Sequence, residues 1–434
     1  MIDFLTFQTT VARIGLACVL CLGVVEAIRA LRSPDEWRLH GIARCPGVTL
    51  VSRRLPLLTA SALFFVATGC FVLKVQPFLS ALSMAAIFLV LVSLYHSLPW
   101  SGYYEADDHG SPVRHIYHHL HLAGVCALGA AANESVALVA GVPRTRLSAV
   151  DVADISFVNV MWVCIGSHYF IAGLTKLRRR GRGWVDRRLF PFYIALLRTY
   201  RLGDSGRNGT DSLSSLILSR PRFGLLLLWM ALACELSGVL YPFCGPMARM
   251  AIGAGLIGFH VVSRYVLFID FRENLIMLIT FSFLVVPQTG LSLGCAAFAA
   301  IVAASFLLGE RLYPFSVLGM FTSPFRPATV LFFVDGESGN VIPTSALIDG
   351  TTSGVSREMQ MYLSKGGTVR EFAKTIEKRV ALVGRGLRSA PIGAIVRTIS
   401  VRDDGHVESE EDRYPDCFGK VVGVPTQITA ASNA

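Results

Sequence analysis

Charged residues are scarce in this chain, and that scarcity excludes the soluble classes of protein. Only 16% of the 434 residues are charged, whereas a soluble globular protein usually has about 25%. Hydrophobic residues make up 53% of the chain, and the mean hydropathy is +0.54. The composition therefore predicts an integral membrane protein that crosses the bilayer several times.

The sequence also lacks the pattern of a cleavable signal peptide and the pattern of a disulfide framework. The opening Met1-Ile2-Asp3 lacks a basic n-region and the first apolar run is longer than an h-region, so no cleavable signal peptide is expected. The ten cysteines stand singly, mostly inside apolar runs, as small apolar residues do. Cys18 and Cys21 form a C-x-x-C pattern in the first run. Because no partner cysteines lie nearby, helix packing is favoured there over quinone redox chemistry.

The net charge of +10 does not indicate a nucleic-acid partner. The arginines lie mostly in loops between apolar runs, where they fit contact with lipid headgroups. The loops at 32–54 and 178–222 both follow odd-numbered runs, so they share one side, which the positive-inside rule places in the cytoplasm. Residues 189–197 are apolar and flanked by arginines, a pattern typical of an amphipathic segment lying on the bilayer.

Nine apolar runs are long enough to span a bilayer, which takes about 20 residues each. They fall near 10–31, 55–75, 78–98, 115–133, 153–177, 223–243, 247–269, 274–290 and 291–309. The last two runs are separated only by residues 287–290, so eight helices result if one of them is re-entrant. We predict that residues 1–324 form an all-α integral membrane bundle of eight or nine transmembrane helices.

The character of the chain changes in residues 325–434, which are mostly polar. Strand patterns occur at 329–334 and at 394–401. A helical pattern from Ser356 to Gly384 is broken at Gly366-Gly367. We predict a small α+β soluble C-terminal domain that holds no catalytic constellation and is separable from the bundle.

Ionisable residues inside apolar runs are functional candidates, because each is expensive to place in a bilayer. Lys176 closes the fifth run, and Glu235 lies in the sixth. His260 and Arg264 lie in the seventh, one helical turn apart. An ion pair between Glu235 and Arg264 would clamp neighbouring helices. The alternative is a role in an active site, and both roles need a paired charge.

Lys176 itself has two interpretations. A snorkelling lysine keeps its stem in the apolar layer and its nitrogen in the interface. A catalytic lysine exploits desolvation, which disfavours the ammonium form and eases loss of the proton. Tyr169 lies seven residues earlier, nearly two turns away, and shares the face of Lys176. Its phenol is a candidate to hold a quinone oxygen or to belong to the aromatic belt.

Histidines cluster at the start of the fourth run, in Arg114-His115-Ile116-Tyr117-His118-His119-Leu120-His121. The imidazoles at 115, 118 and 119 have i, i+3, i+4 spacing and can reach one metal ion. The same spacing occurs in membrane di-iron desaturases and hydroxylases, but those enzymes need about three such boxes and the remaining histidines form no second one. A polar cavity lining is therefore favoured, and no metal is expected.

The stretch Tyr169-Phe170-Ile171-Ala172-Gly173-Leu174-Thr175-Lys176-Leu177, followed by Trp184-Val185, resembles the signature of vitamin K-dependent γ-glutamyl carboxylases. In that family the lysine matched by Lys176 deprotonates vitamin K hydroquinone. Thr175 stands where the carboxylases carry another lysine, and arginines replace the acidic residues between lysine and tryptophan. Phe259-His260 and Arg114-His115-Ile116-Tyr117 are also similar to carboxylase segments. Over roughly residues 10–325 the chain resembles the bacterial relatives called HTTM (horizontally transferred transmembrane domain) proteins.

The resemblance implies a multi-pass protein of a bacterial cell membrane that oxidises reduced vitamin K, or a related quinol, with oxygen to the epoxide. Carbon dioxide is a co-substrate if carboxylation of a peptide or protein is coupled to that oxidation. The family places the active-site end toward the lumen, against the positive-inside rule, so the orientation stays open. The catalytic candidates are Lys176, His115 and His260. The candidates for quinone binding or for a structural ion pair are Tyr169, Glu235, Arg264 and Trp184.

A non-enzymatic alternative stands beside this one. The bundle can be a lipid-binding or assembly protein of the membrane that has lost the chemistry. Such a protein has no need of Lys176, which makes that residue the discriminator between the two hypotheses.

Overall fold

The protein is mostly helical, and its long apolar helices identify it as a multi-pass membrane protein. The computed structural model describes residues 2–31, 51, 54–95, 104–106, 112–114, 118–142, 152–180, 185–206, 212–267, 271–308, 327–348, 352–383 and 392–418. Within these ranges seven helices are long and apolar enough to cross a membrane. They are α1 (Ile2–Leu31), α2 (Arg54–Val72), α3 (Pro77–Tyr95), α4 (His118–Val139), α5 (Val152–Arg180), α8 (Pro221–Leu236) and α9 (Pro246–Leu267). The membrane class predicted from composition is confirmed.

Prolines set the starts of three of these helices. Pro77, Pro221 and Pro246 are the first residues of α3, α8 and α9. A proline fits the first helical turn because the N–H that it lacks has no partner within the helix there, and its fixed φ suits the helix. A short antiparallel pair, β1 (Tyr104–Ala106) and β2 (Pro112–Arg114), lies between α3 and α4.

Helix α5 lies at the centre of the bundle. It packs against α1, α4 and α8, and against two shorter helices, α10 (Arg272–Ser282) and α11 (Leu291–Leu308). Its residues Phe157, Met161 and Trp162 are fully enclosed in the main hydrophobic cluster. Because α5 touches so many partners, polar residues along it are brought to the interior rather than to lipid.

The eighth predicted run is only partly helical. Helix α10 ends at Ser282, and residues 284–290 continue without regular structure before α11 begins at Leu291. Backbone groups of such a segment need partners from the protein at membrane depth. Gln8 accepts from the Val285 N–H at 2.9 Å, and the Asn159 amide donates to the Pro287 carbonyl at 3.0 Å. These side chains stabilise a non-helical stretch that the apolar run alone did not predict.

The C-terminal region contains the predicted α+β elements. Strands β3 (Ala328–Asp335), β4 (Val341–Ile342), β5 (Ile392–Val401) and β6 (Val407–Phe418) form one antiparallel sheet in the order β4-β3-β5-β6. This region also contains three helices, α12 (Thr344–Leu347), α13 (Thr352–Ser364) and α14 (Val369–Val383). Gly366-Gly367 lies between α13 and α14. The strands and the break in the helical pattern are confirmed.

The sheet is covered on both faces, which explains why β3 is a continuous apolar run. Leu331 and Phe333 face a cluster with α13 and α14. Val330, Phe332 and Val334 face the opposite way, toward α6 (Leu189–Ser205). Because successive side chains of a strand point to opposite faces, β3 contributes to two hydrophobic clusters.

Helix α6 was predicted to lie on the bilayer, and the structure instead buries it between two parts of the protein. Its Leu189, Phe190 and Ile194 pack on α7 (Ser212–Ser219), α8 and α9. Its Phe192, Leu196 and Leu202 pack on the sheet. An arginine-flanked apolar helix therefore joins the C-terminal sheet to the bundle.

Candidate functional site

A buried ion pair joins α5 to α8. The ammonium of Lys176 contacts Oε1 of Glu235, and the two residues are only 6% and 1% exposed. Helix α8 approaches closely because α5 has no side chain at Gly173, where a methyl group would lie 3.2 Å from Glu235 Cβ. The Lys176 nitrogen ends on an interior carboxylate, which is not the arrangement of a snorkelling lysine.

A second polar group lies deeper along the same helix. The Tyr169 hydroxyl is 2.6 Å from Nε2 of His260 on α9, and Asn274 of α10 donates its amide to that hydroxyl at 3.1 Å. All three side chains are buried. Tyr169 and Lys176 lie seven residues apart on α5, nearly two turns, so the ion pair and this triad lie along one face of the same helix.

Three polar atoms of the site are buried without a hydrogen-bond partner among the described residues. They are Glu235 Oε2, His260 Nδ1 and Asn274 Oδ1. The Tyr169 hydroxyl and His260 Nε2 share one proton, and Nε2 is the acceptor when the hydroxyl donates it. A neutral His260 then carries its proton on Nδ1. The site therefore offers two acceptor oxygens and one N–H donor to a ligand. A buried polar atom without a hydrogen bond lowers the stability of the fold, unless a ligand supplies the missing partner.

The ion pair of Glu235 with Arg264, one of the two alternatives that the sequence left open, is absent from the described structure. Glu235 is bonded to Lys176, and Arg264 is exposed on α9 although His260, one turn earlier, is buried. The close approach of α8 to α5 turns the Glu235 carboxylate toward Lys176. Helical spacing places His260 and Arg264 one turn apart, but it does not predict which residue of another helix each of them contacts.

Two of the predicted site residues, His115 and Trp184, lie outside the described residues. So do the side chains of His118 and His119, although both belong to α4. In the described part of the chain, no group of three or more His, Cys, Asp or Glu is placed to hold a metal ion.

Sequence reasoning missed a pair of buried histidines beside the site. Nδ1 of His121 on α4 lies 2.8 Å from Nδ1 of His168 on α5, and the His168 ring packs edge-on against Tyr169. One of the two Nδ1 atoms must carry the shared proton. His121 belongs to the histidine-rich stretch 114–121, and His168 directly precedes the stretch 169–177. Asn274 was also missed, and its only signal is an amide within an apolar run.

A separate ion cluster occupies the other end of α5. The Arg13 guanidinium lies 2.8 Å from Glu134 and 3.0 Å from Asp154, and Lys74 also contacts Asp154. The guanidinium further lies over the Phe71 ring at 4.6 Å. Among the described residues, two cations and two carboxylates meet here and join α1, α4 and α5.

These features define a multi-pass membrane protein with a buried acid–base site between α5, α8, α9 and α10. Comparison with family models, with curated proteins and with solved structures finds no match to this chain.

Proposed function

We propose that this protein is a membrane-embedded enzyme similar to vitamin K-dependent γ-glutamyl carboxylases, and that it oxidises a reduced quinone with oxygen. One observation carries the proposal. The buried Lys176–Glu235 pair lies beside Tyr169 and His260, and three polar atoms around it have no partner in the described structure. Clustered ionisable groups inside a bilayer mark functional sites by default.

The unpaired atoms fit a quinol. A quinol presents two hydroxyl donors, and Glu235 Oε2 and Asn274 Oδ1 are two acceptors. The Nδ1 proton of His260 supplies a donor for an oxygen of the ring system. The quinol supplies the reducing electrons: with oxygen it becomes the quinone epoxide, one oxygen atom entering the epoxide and the other leaving as water.

Lys176 acts as the base in this proposal. It must be neutral to accept a proton, and passing its own proton to Glu235 leaves two uncharged groups in place of two buried ions. Buried ions are expensive in a site of low dielectric constant. Tyr169 and His260 orient the substrate through the hydrogen bond between them. The surrounding helices exclude water, which would quench a strongly basic intermediate.

The proposal carries further assignments. The chain is a bacterial HTTM protein of the cell membrane with eight or nine membrane helices, of which α11 is the eighth by apolar character. The quinol enters from the lipid phase, with oxygen as co-substrate. Carbon dioxide and a peptide or protein are further substrates if carboxylation is coupled to the oxidation of the quinol. His115 is the third catalytic residue, beside Lys176 and His260. Trp184 contacts the quinone, and no resident metal takes part in the reaction.

The test separates a base from a structural cation. Purified protein is given short-chain vitamin K hydroquinone and oxygen, and the epoxide is measured by chromatography. Lys176→Arg keeps a cation next to Glu235 but cannot give up its proton at working pH. We expect the rate to fall by about 10²–10⁴, the usual effect of removing a general base.

Lys74→Arg is the matched control, because it makes the same substitution in the structural ion cluster at the other end of α5. It should keep the wild-type rate. A Lys176→Arg enzyme as fast as wild type, or a wild-type protein that forms no epoxide, would overturn the proposal. The second result would favour a non-catalytic lipid-binding or assembly protein, in which the ion pair is only a helix clamp.

A further inference from the structure

A second arginine is fully buried in the bundle, away from the acid–base site. Arg249 lies in the first turn of α9 and is 0% exposed. Its Nε donates to the Tyr241 carbonyl at 3.1 Å and its Nη2 to the Cys244 carbonyl at 2.7 Å. The guanidinium carbon lies 3.3 Å above the Trp162 ring. The side chain is therefore held firmly by two carbonyls and a π face.

No described carboxylate balances this charge. None of the ion pairs among the described residues includes Arg249. Tyr241 and Cys244, whose carbonyls it contacts, have side chains that are neutral near pH 7. Its Nη1 is buried with no hydrogen-bond partner in the described structure. A guanidinium stays protonated in proteins, so the charge cannot be removed by loss of a proton.

Arg13 shows how the same fold treats a buried arginine that has only a structural role. That side chain is equally enclosed, and it is paired with both Glu134 and Asp154. Carbonyl contacts and a cation–π contact compensate part of the charge of Arg249. They do not supply an anion. The contrast points to a ligand that brings the negative charge.

The depth of Arg249 indicates what kind of anion reaches it. Helix α9 begins at Pro246, so Arg249 lies only about 4.5 Å below its start at a rise of about 1.5 Å per residue. Residues 245–248 are exposed. Leu240 and Met247, at 57% and 79% exposed, flank the position with apolar side chains. A group at the boundary between headgroups and acyl chains fits these surroundings.

We infer that Arg249 binds the phosphate of a membrane phospholipid, with Leu240 and Met247 against the acyl chains. The guanidinium fork suits phosphate oxygens, and Nη1 supplies the free N–H. Because Nη1 is enclosed, neighbouring side chains must shift to admit the headgroup, while the Tyr241 and Cys244 carbonyls keep their bonds to Nε and Nη2. This site goes beyond the proposed quinol chemistry and does not depend on it.

The test compares three probes on delipidated protein by native mass spectrometry. Dioleoylphosphatidylglycerol carries the phosphate, dioleoylglycerol has the same chains without it, and inorganic phosphate has no chains. Wild type should retain one phosphatidylglycerol per chain and bind dioleoylglycerol far more weakly. Loss of one charge-assisted hydrogen-bonding group in Arg249→Gln should weaken phosphatidylglycerol binding about 10- to 100-fold.

Arg264→Gln is the matched control, because it removes the same charge from an exposed position of the same helix. It should bind phosphatidylglycerol as wild type does. Arg249→Lys keeps the cation and should lose less affinity than Arg249→Gln. The wild-type comparison of the two lipids needs no variant, so it decides the matter even if Arg249→Gln fails to fold.

Three results would overturn the inference. Equal binding of both lipids by wild type would show that the phosphate is not recognised. Equal losses in Arg249→Gln and Arg264→Gln would show only a general effect of charge. Binding of inorganic phosphate as tightly as the lipid, and dependent on Arg249, would assign the site to a free anion instead.

Discussion

At the scale of single residues, the buried charges of the central helix have partners of opposite sign. Asp154 contacts Arg13 and Lys176 contacts Glu235, whereas Arg249 of α9 has no carboxylate partner among the described residues. A buried ion pair gains little over an apolar pair of the same size, because desolvation of both ions offsets their attraction. Breaking such a pair is costly, because one charge is left uncompensated. Lys176 and Glu235 are therefore poorly explained by stability alone, and their retention fits a site that uses them.

A double-mutant cycle on this pair gives the first prediction. Glu235→Leu alone leaves a buried ammonium and should lower the free energy of unfolding by about 3–5 kcal/mol. Adding Lys176→Met should restore most of that stability, since two apolar side chains then replace two charges. Thermal unfolding in detergent measures both. Additive losses would mean that the two charges are not coupled, and the double variant should stay inactive toward the quinol.

At the scale of elements, small residues set the distance between α5 and the end of α8. The short 3-10 helix Ser237–Val239 follows α8, and a methyl group at Gly166 would lie 2.6 Å from the Gly238 carbonyl oxygen. Gly238 in turn would place a methyl group 3.1 Å from Tyr169 Cβ. This contact positions both Tyr169 and, one turn away, Glu235.

Alanine at Gly166 is expected to push the two elements apart. The overlap is with backbone, so the cost should be about 1–3 kcal/mol of unfolding free energy, with a loss of quinol oxidation. Gly258→Ala on α9 is the control, because nothing lies within 4 Å of its added methyl group. That change should be neutral or stabilise by about 0.5–1 kcal/mol. Equal effects at both glycines would contradict a role for close packing at Gly166.

The elements that sequence could predict are those with a local signal. Seven apolar runs appear as long helices, and the β-branched stretches near Thr329 and Ala394 appear as strands. The position of α6 could not be predicted, because arginine flanks suit a helix on lipid and a helix docked on protein alike. The end of α10 at Ser282 depends on Gln8 and Asn159, which are distant in the sequence.

The sequence could predict which residues belong to the site better than it could predict which of them contact one another. Lys176, Glu235, Tyr169 and His260 stood out because ionisable or phenolic groups are unusual in apolar runs. Helix packing across the bundle decides which of them pair, so the sequence could offer Arg264 as a possible partner of Glu235 but could not identify Lys176 as the actual one. The Arg13 cluster was missed for the same reason. Its ion pairs join residues of four separate helices or turns.

At the scale of the whole molecule, charged clusters lie near both ends of the central helix. Asp154 and Lys176 are separated by about 33 Å of α5 at about 1.5 Å per residue, close to the thickness of a bilayer core of about 30 Å. The ion cluster around Arg13 and the Lys176–Glu235 pair are therefore separated along α5 by about the thickness of a bilayer core. The sheet and α6 lie at the end of the bundle that holds Lys176, since α6 packs on α8 and α9.

The docking of the sheet revises the expectation that the C-terminal domain is separable. Removing it would expose the apolar face of α6 formed by Phe192, Leu196 and Leu202. The same helix contacts α8, which carries Glu235. Undocking is therefore expected to loosen α6 and, through α8, to lower quinol oxidation.

Two adjacent phenylalanines of β3 allow this last prediction to be tested with matched variants. Phe332 and Phe333 are both fully buried, but Phe332 faces α6 and Phe333 faces α13 and α14. Each change to alanine should cost about 3–5 kcal/mol locally. Hydrogen exchange measured by mass spectrometry should rise in residues 189–205 for Phe332→Ala and in 352–383 for Phe333→Ala. If α6 kept its full protection in Phe332→Ala, its order would depend on the bundle alone, and the C-terminal domain would be separable after all.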